Sequence, residues 1–239
     1  DLHSFPTRRS SDLRLFLESL INSGEKNIKL DSDIILDDDE ASEYENGIYI
    51  TSDDIVIDGN GHTIDARGKA RIFRIASPVT IKNITLINGY CEDDGGAIYG
   101  WNSLNLINVQ FSGNHSDDSG GAVGNREDLN IRDCLFENNS SKEYGGALLS
   151  TFDSDLNIDN CEFKNNHSQS KGGAIHNINK MTLTNSILKN NTSPIGGAIN
   201  SISTEAEITD TQFSENHSEG RGCDFYQESG DIKFKNVSF

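Results

Sequence analysis

Leu156-Asn-Ile-Asp-Asn-Cys-Glu-Phe163-Lys-Asn-Asn166, followed by Gly172-Gly-Ala-Ile175, is the stretch of sequence that decides the fold. Both parts recur along the chain. Gly-Gly-Ala begins at Gly95, Gly120, Gly145, Gly172 and Gly196, and Arg221-Gly222-Cys223 is interpreted as a degraded copy. A fixed period of a few tens of residues is typical of a solenoid, in which each repeat buries its apolar edge only against the next one. Gly-Gly and the Asn-rich turns would interrupt helical repeats, so we predict coils made of strands.

A second pattern, two apolar residues in alternation followed by Asn or Asp, shows how the coils align. Its copies begin 25, 25, 27, 25, 25 and 26 residues apart, at Val79, Leu104, Leu129, Leu156, Met181, Ala206 and Ile232. The two extra residues of the longest interval fall near 151–155 and predict a loop there. We therefore expect a single β-helix over 26–239, irregular over 26–78 and regular over 79–239.

Within each regular coil the apolar side chains change phase at one polar residue. Leu156 and Ile158 point to one side of a strand, whereas Phe163 is out of phase with them by one residue. A left-handed backbone conformation at Asn160, which Asn and Asp tolerate best after Gly, would make this bend. Stacked coils should then form two internal ladders. One is polar, with Asn83, Asn108, Asp133, Asn160, Asn185, Asp210 and Asn236, and the other apolar, with Leu86, Phe111, Phe136, Phe163, Leu188, Phe213 and Phe239.

The first residues differ from the rest. Residues 1–13 carry no repeat and look like a translated sequencing adapter, so we exclude them from the fold. Leu17, Leu20 and Ile21 lie at helical spacing and Gly24 follows as a stop signal, which predicts a short helix over 14–25. That helix would cap the open end of the solenoid. Because the chain stops at Phe239 in mid-repeat, we expect it to be part of a longer protein.

The formal net charge of −18 limits the partners. An acidic surface disfavours nucleic acid, whose phosphates bind Lys and Arg, and favours a hydrated protein exposed to the medium. No apolar run approaches the about 20 residues that a membrane span needs. The spacing of the Cys residues fits no zinc module, and no cofactor is expected. Cys134 and Cys161 share one repeat position, where a disulfide between coils is conceivable but a slot for small buried side chains is favoured.

Here the motifs carry a family resemblance. Gly-Gly-Ala with a following aliphatic residue, paired with Phe-x-x-Asn, resembles the repeat of chlamydial polymorphic membrane proteins. Together with Ile57-Asp-Gly-Asn-Gly-His-Thr-Ile-Asp65, it also resembles adhesin-like proteins of methanogenic archaea. The resemblance covers about residues 14–239 and implies an all-β fold, a right-handed parallel β-helix, with an extracellular location at the cell surface. Leu188 in place of Phe, and the loss of the first Gly and the Ala at 221–223, depart from the pattern.

Acidic turns suggest a weak metal site. Asp93, Asp94, Asp117 and Asp118 precede consecutive Gly-Gly-Ala turns, and carboxylates that approach one another there would suit Ca²⁺. The ligand spacing of a calcium loop is absent, so solvated acidic turns are the favoured interpretation.

Two further patterns suggest ligand binding and modification. Tyr99 and Trp101 lie near one coil edge, where exposed rings would stack on sugars, although packing against an acidic loop explains them equally well. Of nine Asn-x-Ser/Thr sequons, those at Asn114, Asn166 and Asn216 lie in the loops best placed for glycosylation, provided the protein is exported by an organism that glycosylates.

Three functions remain open. The leading hypothesis is a non-enzymatic, adhesin-like protein whose β-helix displays loops and outward Asn and Thr ladders to a glycan or protein on another cell or matrix. The second is a carbohydrate-active β-helix enzyme, but the outward rows of the repeating strand show no neighbouring carboxylates, so no catalytic residue is assigned. The third is a structural surface stalk.

Overall fold

The computed structural model describes residues 10–36, 46–151, 155–202 and 205–239. A single helix, α1 (Ser10–Asn22), precedes a long series of short strands in these ranges. None of the helical segments described is long and apolar enough to cross a membrane. The acidic segment at 37–45, which its polar composition predicts to be a loop, lies outside the described residues, as do residues 1–9.

The strands form three parallel sheets along the axis of a solenoid. The first sheet contains β1 (Asn27–Lys29), β2 (Ile34–Ile35), β4 (Ile55–Asp58), β5 (Thr63–Asp65), β7 (Val79–Ile87), β10 (Leu104–Ser112), β13 (Leu129–Arg132), β14 (Leu135–Glu137), β17 (Leu156–Asp159), β18 (Glu162–Lys164), β21 (Met181–Thr184), β22 (Ile187–Lys189), β24 (Glu205–Thr209), β25 (Gln212–Ser214) and β27 (Asp231–Lys235). The second contains β8 (Tyr90–Cys91), β11 (His115–Ser116), β15 (Ser140–Ser141) and β19 (His167–Ser168). The third contains β3 (Ile48–Ile50), β6 (Phe73–Ile75), β9 (Ile98–Gly100), β12 (Val123–Asn125), β16 (Leu148–Ser150), β20 (Ile175–Asn177), β23 (Ile199–Ser201) and β26 (Phe225–Gln227). The predicted parallel β-helix is therefore confirmed.

Each regular coil turns at three residues with positive φ. In the coil that begins at Leu104 these are Asn108 (φ 53°), Gly113 (φ 65°) and Gly120 (φ 64°). The first bend divides the first sheet into two arms, the second leads into the second sheet, and the third leads into the third sheet. The predicted bend at Asn160 and its equivalents is confirmed, because all seven residues of that row have φ between 48° and 57°. Asn and Asp adopt this conformation most readily among non-glycine residues.

The predicted register between coils is also confirmed. Leu104 pairs with Leu129, Leu129 with Leu156, and Leu156 with Met181. The interval of 27 residues between Leu129 and Leu156 is therefore absorbed outside the strands. Of the loop expected there, residues 152–154 lie outside the described part of the chain.

The apolar ladder fills the interior. The Phe111 and Phe136 ring centroids are 4.7 Å apart with planes 9° apart, and the Phe136 and Phe163 centroids are 4.6 Å apart with planes 3° apart. Leu188 continues the row between Phe163 and Phe213. Complete burial of such a side chain is worth about 1.5–3 kcal/mol. Phe239 stacks on Phe213 at 5.3 Å but is 67% exposed, so it is not internal as predicted.

The polar ladder at the first bend is on the outside, and its prediction as an internal row is wrong. Its side chains are exposed except for half-buried Asn83, because the bend points them away from the coil axis. The contacts between neighbours are partly present. The Asn108 amide donates to Asn83 at 2.9 Å, and that of Asn160 to Asp133 at 2.6 Å. The Asn185 amide instead donates to the Asp159 carboxylate at 2.7 Å, so the row is interrupted there.

The internal polar ladder consists of the residues after the second bend: Asn114, Asn139, Asn166, Asn191 and Asn216. The Asn139 backbone N–H and side-chain amide both donate to Asn166 Oδ1 at 3.0 Å. The same amide also donates to the backbone oxygen of Phe111 at 3.1 Å. Because each amide satisfies backbone groups of two coils, this ladder fastens successive coils inside the solenoid.

The two glycines of Gly-Gly-Ala have different structural roles. The first, as at Gly145 (φ 64°), makes the third bend. The second has no positive φ, but a Cβ on Gly146 would lie 2.2 Å from the backbone oxygen of Gly173 in the next coil. Equivalent glycines show 2.0–2.3 Å to the next coil, so close stacking excludes a side chain at this position.

The same geometry corrects the alignment of the last copy. Gly222 (φ 64°) makes the third bend, so it corresponds to the first Gly, and Cys223 and Asp224 replace the second Gly and the Ala. The interpretation of Arg221 as the first position is wrong by one residue.

Helix α1 covers the N-terminal end of the solenoid. It spans Ser10–Asn22 instead of the predicted 14–25, so it starts inside the segment that we assign to the adapter. Leu17 and Ile21 are each 1% exposed and belong to the same core as Ile28 and Ile34 of the first coils. An amphipathic helix thus buries apolar side chains that would otherwise face solvent at the open end.

Candidate functional site

The outer face of the first sheet carries amide and hydroxyl groups in register. We call the row Thr80, Asn105, Asn130, Asn157 and Thr182 the amide face. The Asn130 amide donates to Asn105 Oδ1 at 3.1 Å, and the Asn157 amide to Asn130 Oδ1 at 3.1 Å. A shallow trough of about 450 Å³ runs along this row and its neighbours. The face offers uncharged hydrogen-bonding groups at the spacing of the strands, which is about 4.8 Å.

The charged groups beside the amide face do not form a hydrolytic pair. Asp159 accepts hydrogen bonds from Thr184 and Asn185, both at 2.7 Å, and these two bonds hold the pKa of its carboxyl below the ordinary value. Arg132, its neighbour in register, contacts Asp133 at 3.5 Å. Asp159 therefore stays ionised and engaged, and no second carboxylate faces it among the residues lining the trough.

The predicted sugar-binding ring of Tyr99 is buried, and that part of the prediction is wrong. Tyr99 is 7% exposed. The guanidinium carbons of Arg71 and Arg126 lie 5.2 and 5.5 Å from its ring centroid, and the Trp101 ring meets it edge to face at 4.6 Å. A sugar cannot stack on a ring that is enclosed in this way, so Tyr99 has a packing role.

Trp101 and a neighbour that sequence reasoning missed form the accessible part of this region. Tyr49, Arg74 and Tyr99 occupy one outward row of the third sheet. The Arg74 guanidinium carbon lies 4.4 Å from the Trp101 ring centroid and 5.5 Å from that of Tyr49. Tyr49 is 51% exposed. The alternation of Ile48-Tyr-Ile50 places Tyr49 outward, and this signal was present in the sequence.

The acidic turns do not assemble a calcium site. Asp117 accepts from Lys142 at 2.8 Å and from Tyr90 at 3.1 Å, and these contacts hold the pKa of its carboxyl below the ordinary value. Burial, and then the charge of Asp118, raise the pKa of Asp94 to about 6. No cluster of three or more acidic, Cys or His side chains within the described ranges is arranged to hold a metal. The calcium ligands suggested at Asp93, Asp94, Asp117 and Asp118 are therefore not supported.

A Ser–His–Asp arrangement lies on the second sheet. His115 Nδ1 is 2.7 Å from Ser140 Oγ, and His115 Nε2 is 3.0 Å from Asp117 Oδ1. The backbone N–H groups of Ser140 and Lys142 donate to carbonyl groups of the preceding coil, so they do not provide an oxyanion hole. His167 and Thr192 repeat the His–hydroxyl contact at 2.8 Å, which identifies a ladder between coils and not a triad.

The glycosylation prediction for Asn114, Asn166 and Asn216 is wrong. These residues belong to the internal polar ladder and are 0%, 0% and 9% exposed. Their amide nitrogens donate to backbone and side-chain acceptors inside the solenoid, so a glycan on Nδ2 would have no space. The sequons at Asn83 and Asn236 are in the outer row of the first bend instead.

The Cys residues form no disulfide. Cys134 and Cys161 are buried in the small-residue slot as free thiols, and burial raises the pKa of Cys134. Cys91 is also buried, whereas Cys223 is exposed.

Comparison with known proteins agrees with the geometry of the coil. Residues 108–126, 133–151 and 160–178 match the model of the Chlamydia polymorphic membrane protein (Chlamydia_PMP) repeat. Each match runs from the first bend to just beyond the strand in the third sheet. No curated protein and no solved structure matches the chain. The chain is therefore a parallel β-helix protein that carries repeats of the polymorphic membrane protein type.

Proposed function

We propose that this chain is part of a non-enzymatic, adhesin-like protein at the extracellular cell surface, and that its β-helix binds glycans or proteins through its outward faces. The matched repeat supports this proposal, because it comes from a family of non-enzymatic surface proteins. The net charge of −18 is consistent with exposure to the medium.

The amide face is the observation that carries the proposal. It presents a row of Asn and Thr side chains across successive coils, with a shallow trough beside it. Amides donate and accept at the same time, as sugar hydroxyls do, so an extended glycan laid along the axis would find a partner at every coil. Because neighbouring amides already bond to each other, the face is ordered before a ligand arrives, which reduces the entropy lost on binding.

A glycan array on the purified chain tests the proposal. We expect binding to neutral glycans that weakens when Asn130→Ala and Asn157→Ala are combined. Replacing Gln212, which is exposed on the other arm of the same sheet, by Ala serves as the control. If the chain binds neither glycans nor proteins of a cell-surface extract, the binding proposal is wrong.

A reducing-sugar assay on neutral and acidic polysaccharides tests the non-enzymatic part. We expect no turnover, and reproducible product release would show that an enzyme is present. Labelling of intact cells that make the parent protein, with a reagent that does not enter cells, tests the extracellular location.

A further inference from the structure

One region of this acidic chain concentrates positive charge. Arg71, Arg74 and Arg126 lie together around Tyr99 and Trp101 on the outside of the third sheet. We call the accessible part, Tyr49, Arg74, Trp101 and Arg126, the arginine patch. Arg71 is not part of it, because it is 2% exposed and donates to the backbone oxygens of Asp94 and Gly95.

Arg74, the central cation of the patch, has no carboxylate partner. Elsewhere, lysines pair with acids, as Lys142 does with Asp117 at 2.8 Å, Lys171 with Glu228 at 2.7 Å and Lys233 with Glu205 at 2.8 Å. Within the described ranges, neither Arg74 nor Arg126 has a carboxylate within ion-pair distance. Burial raises the pKa of Asp94 and the charge of Arg126 opposes that rise, so Arg126 does have an acidic neighbour. In a chain with a net charge of −18, an arginine such as Arg74 that is held against aromatic rings without a carboxylate indicates a place for an external anion.

The aromatic rings of Trp101 and Tyr49 restrict the orientation in which the Arg74 guanidinium can bind an anion. Its guanidinium lies over Trp101 at 4.4 Å, and its Nε is shielded from solvent without a hydrogen-bond partner. A guanidinium held by stacking keeps its N–H groups in one plane, which matches two oxygens of a carboxylate. The half-exposed ring of Tyr49 lies on the other side of Arg74 and offers an apolar surface for a sugar ring.

We propose that the arginine patch binds a carboxylate-bearing sugar of an acidic glycan, with the carboxylate on Arg74 and the pyranose ring beside Tyr49. This inference rests on the proposed glycan-binding function and names a ligand class and a second site for it. Arg126 is exposed at the edge of the patch, where its charge offsets that of the nearby Asp94 carboxylate. Nucleic acid is disfavoured as the anion, since a single small patch cannot neutralise many phosphates on an otherwise acidic surface.

Titration followed by tryptophan fluorescence provides the test, because Trp101 is the one Trp in the sequence. The probe is an oligogalacturonate, and its fully methyl-esterified form is the neutral counterpart with the same sugar rings. We expect the acid form to bind and to change the emission of Trp101, and the ester to bind at least about tenfold more weakly. Binding of the acid form should weaken as salt is raised.

Three variants and one control assign the site. Arg74→Gln should weaken oligogalacturonate binding at least about tenfold, and Arg74→Lys should restore only part of it because the planar fork is lost. Tyr49→Ala changes an exposed side chain, so it should fold and still weaken binding. Arg221→Gln removes the same charge from an exposed Arg near the C-terminal end of the solenoid, outside the amide face and the arginine patch, and should leave binding unchanged.

The outcomes separate the two proposals. If Arg74→Gln and Arg221→Gln weaken binding equally, the effect is general electrostatics and the arginine patch is not the site. Equal binding of a sulfated oligosaccharide or of polyglutamate would reject the carboxylate-sugar class. If neutral glycans bind through the amide face while oligogalacturonate does not bind, the proposed function stands and this inference fails. If no glycan of either kind binds, the glycan-binding function and this inference fail together.

Discussion

At the scale of the residue, asparagine has two separate uses in this solenoid. Asn108 and its equivalents bend the backbone and face solvent, whereas Asn114 and its equivalents are buried and bond across coils. The first use needs tolerance of positive φ. The second needs a side chain that donates to a carbonyl of one coil and accepts from an N–H group of another, and the Asn amide does this with two separate atoms.

Asn166→Ala should therefore destabilise the chain strongly. It leaves the Asn139 N–H and the Phe136 carbonyl without partners inside the solenoid, and each such group costs about 1–3 kcal/mol. We expect the free energy of unfolding to fall by about 3 kcal/mol or more in urea titration. Asn157→Ala is the control, because that amide is exposed on the amide face and should cost less than about 1 kcal/mol. Equal losses would contradict the internal ladder.

At the scale of the element, the Gly-Gly-Ala turn is set by the neighbouring coil as much as by its own dihedral angles. Gly146→Ala would place a methyl group 2.2 Å from the Gly173 oxygen, so coils must separate or the turn must shift. We expect a loss of about 3 kcal/mol or more in the free energy of unfolding, by thermal or urea melting.

Gly68→Ala is the control for this turn. Gly68 has φ +71° but open space around it, so its substitution should cost only the conformational strain of about 1–2 kcal/mol. A milder effect of Gly146→Ala than of Gly68→Ala would show that contact between coils does not constrain the turn.

Helix α1 allows a matched test of capping. Leu17 is 1% exposed and packs into the core, whereas Leu15 on the same helix is 50% exposed. Leu17→Ala should lower the free energy of unfolding by about 2–5 kcal/mol, and Leu15→Ala by less than about 0.5 kcal/mol. Hydrogen exchange should show the loss of protection spreading from α1 into β1 and β2. If both variants behave alike, the helix does not seal the first coil.

At the scale of the whole molecule, stability depends on pH through two titratable side chains whose contributions change in opposite directions. Burial lowers the pKa of His176 to about 4, so its contribution to stability is present above the ordinary His pKa and is lost as the pH falls towards 4. Burial and Asp118 raise the pKa of Asp94 to about 6, so its contribution is present at low pH and is lost as the pH rises through 6. The two contributions change in opposite directions over the same pH range, so they largely cancel in the total stability and only variants of each residue separate them.

Asp94→Asn should stabilise the chain at pH 8 and leave it nearly unchanged at pH 4. At pH 8 the wild-type carboxylate is charged in a half-buried place beside Asp118, and the amide removes that charge. At pH 4 the folded wild type is already protonated there. Thermal melting at the two pH values measures the difference, with the exposed Asp53→Asn as the control for general charge reduction. A gain of the same size at both pH values would contradict the raised pKa.

The sequence by itself determined the repeat, the register of the coils, the bend at Asn160 and the stacking of Phe136 on Phe163. These features follow from local rules, since a period and an alternation can be counted along one strand. The same phase argument, applied to the second bend at Gly113 and its equivalents, would have placed Asn114 inside. The bend at Gly113 follows Phe111 by two residues, just as the bend at Asn108 follows Leu106. The Asn-rich sequence around it was interpreted as a loop, so this second bend was not predicted.

Only the tertiary structure decided which outward side chains are accessible to a ligand. Tyr99 is buried because Arg71 comes from the preceding coil and Arg126 from the following one, and no local pattern reports contacts between residues about 25 positions apart. The partnership of Arg74 with Tyr49 and Trp101 has the same origin. Strand alternation specifies that a side chain points outward. Whether that side chain is then covered depends on the size of its neighbours in the adjacent coils, and therefore on how the coils stack.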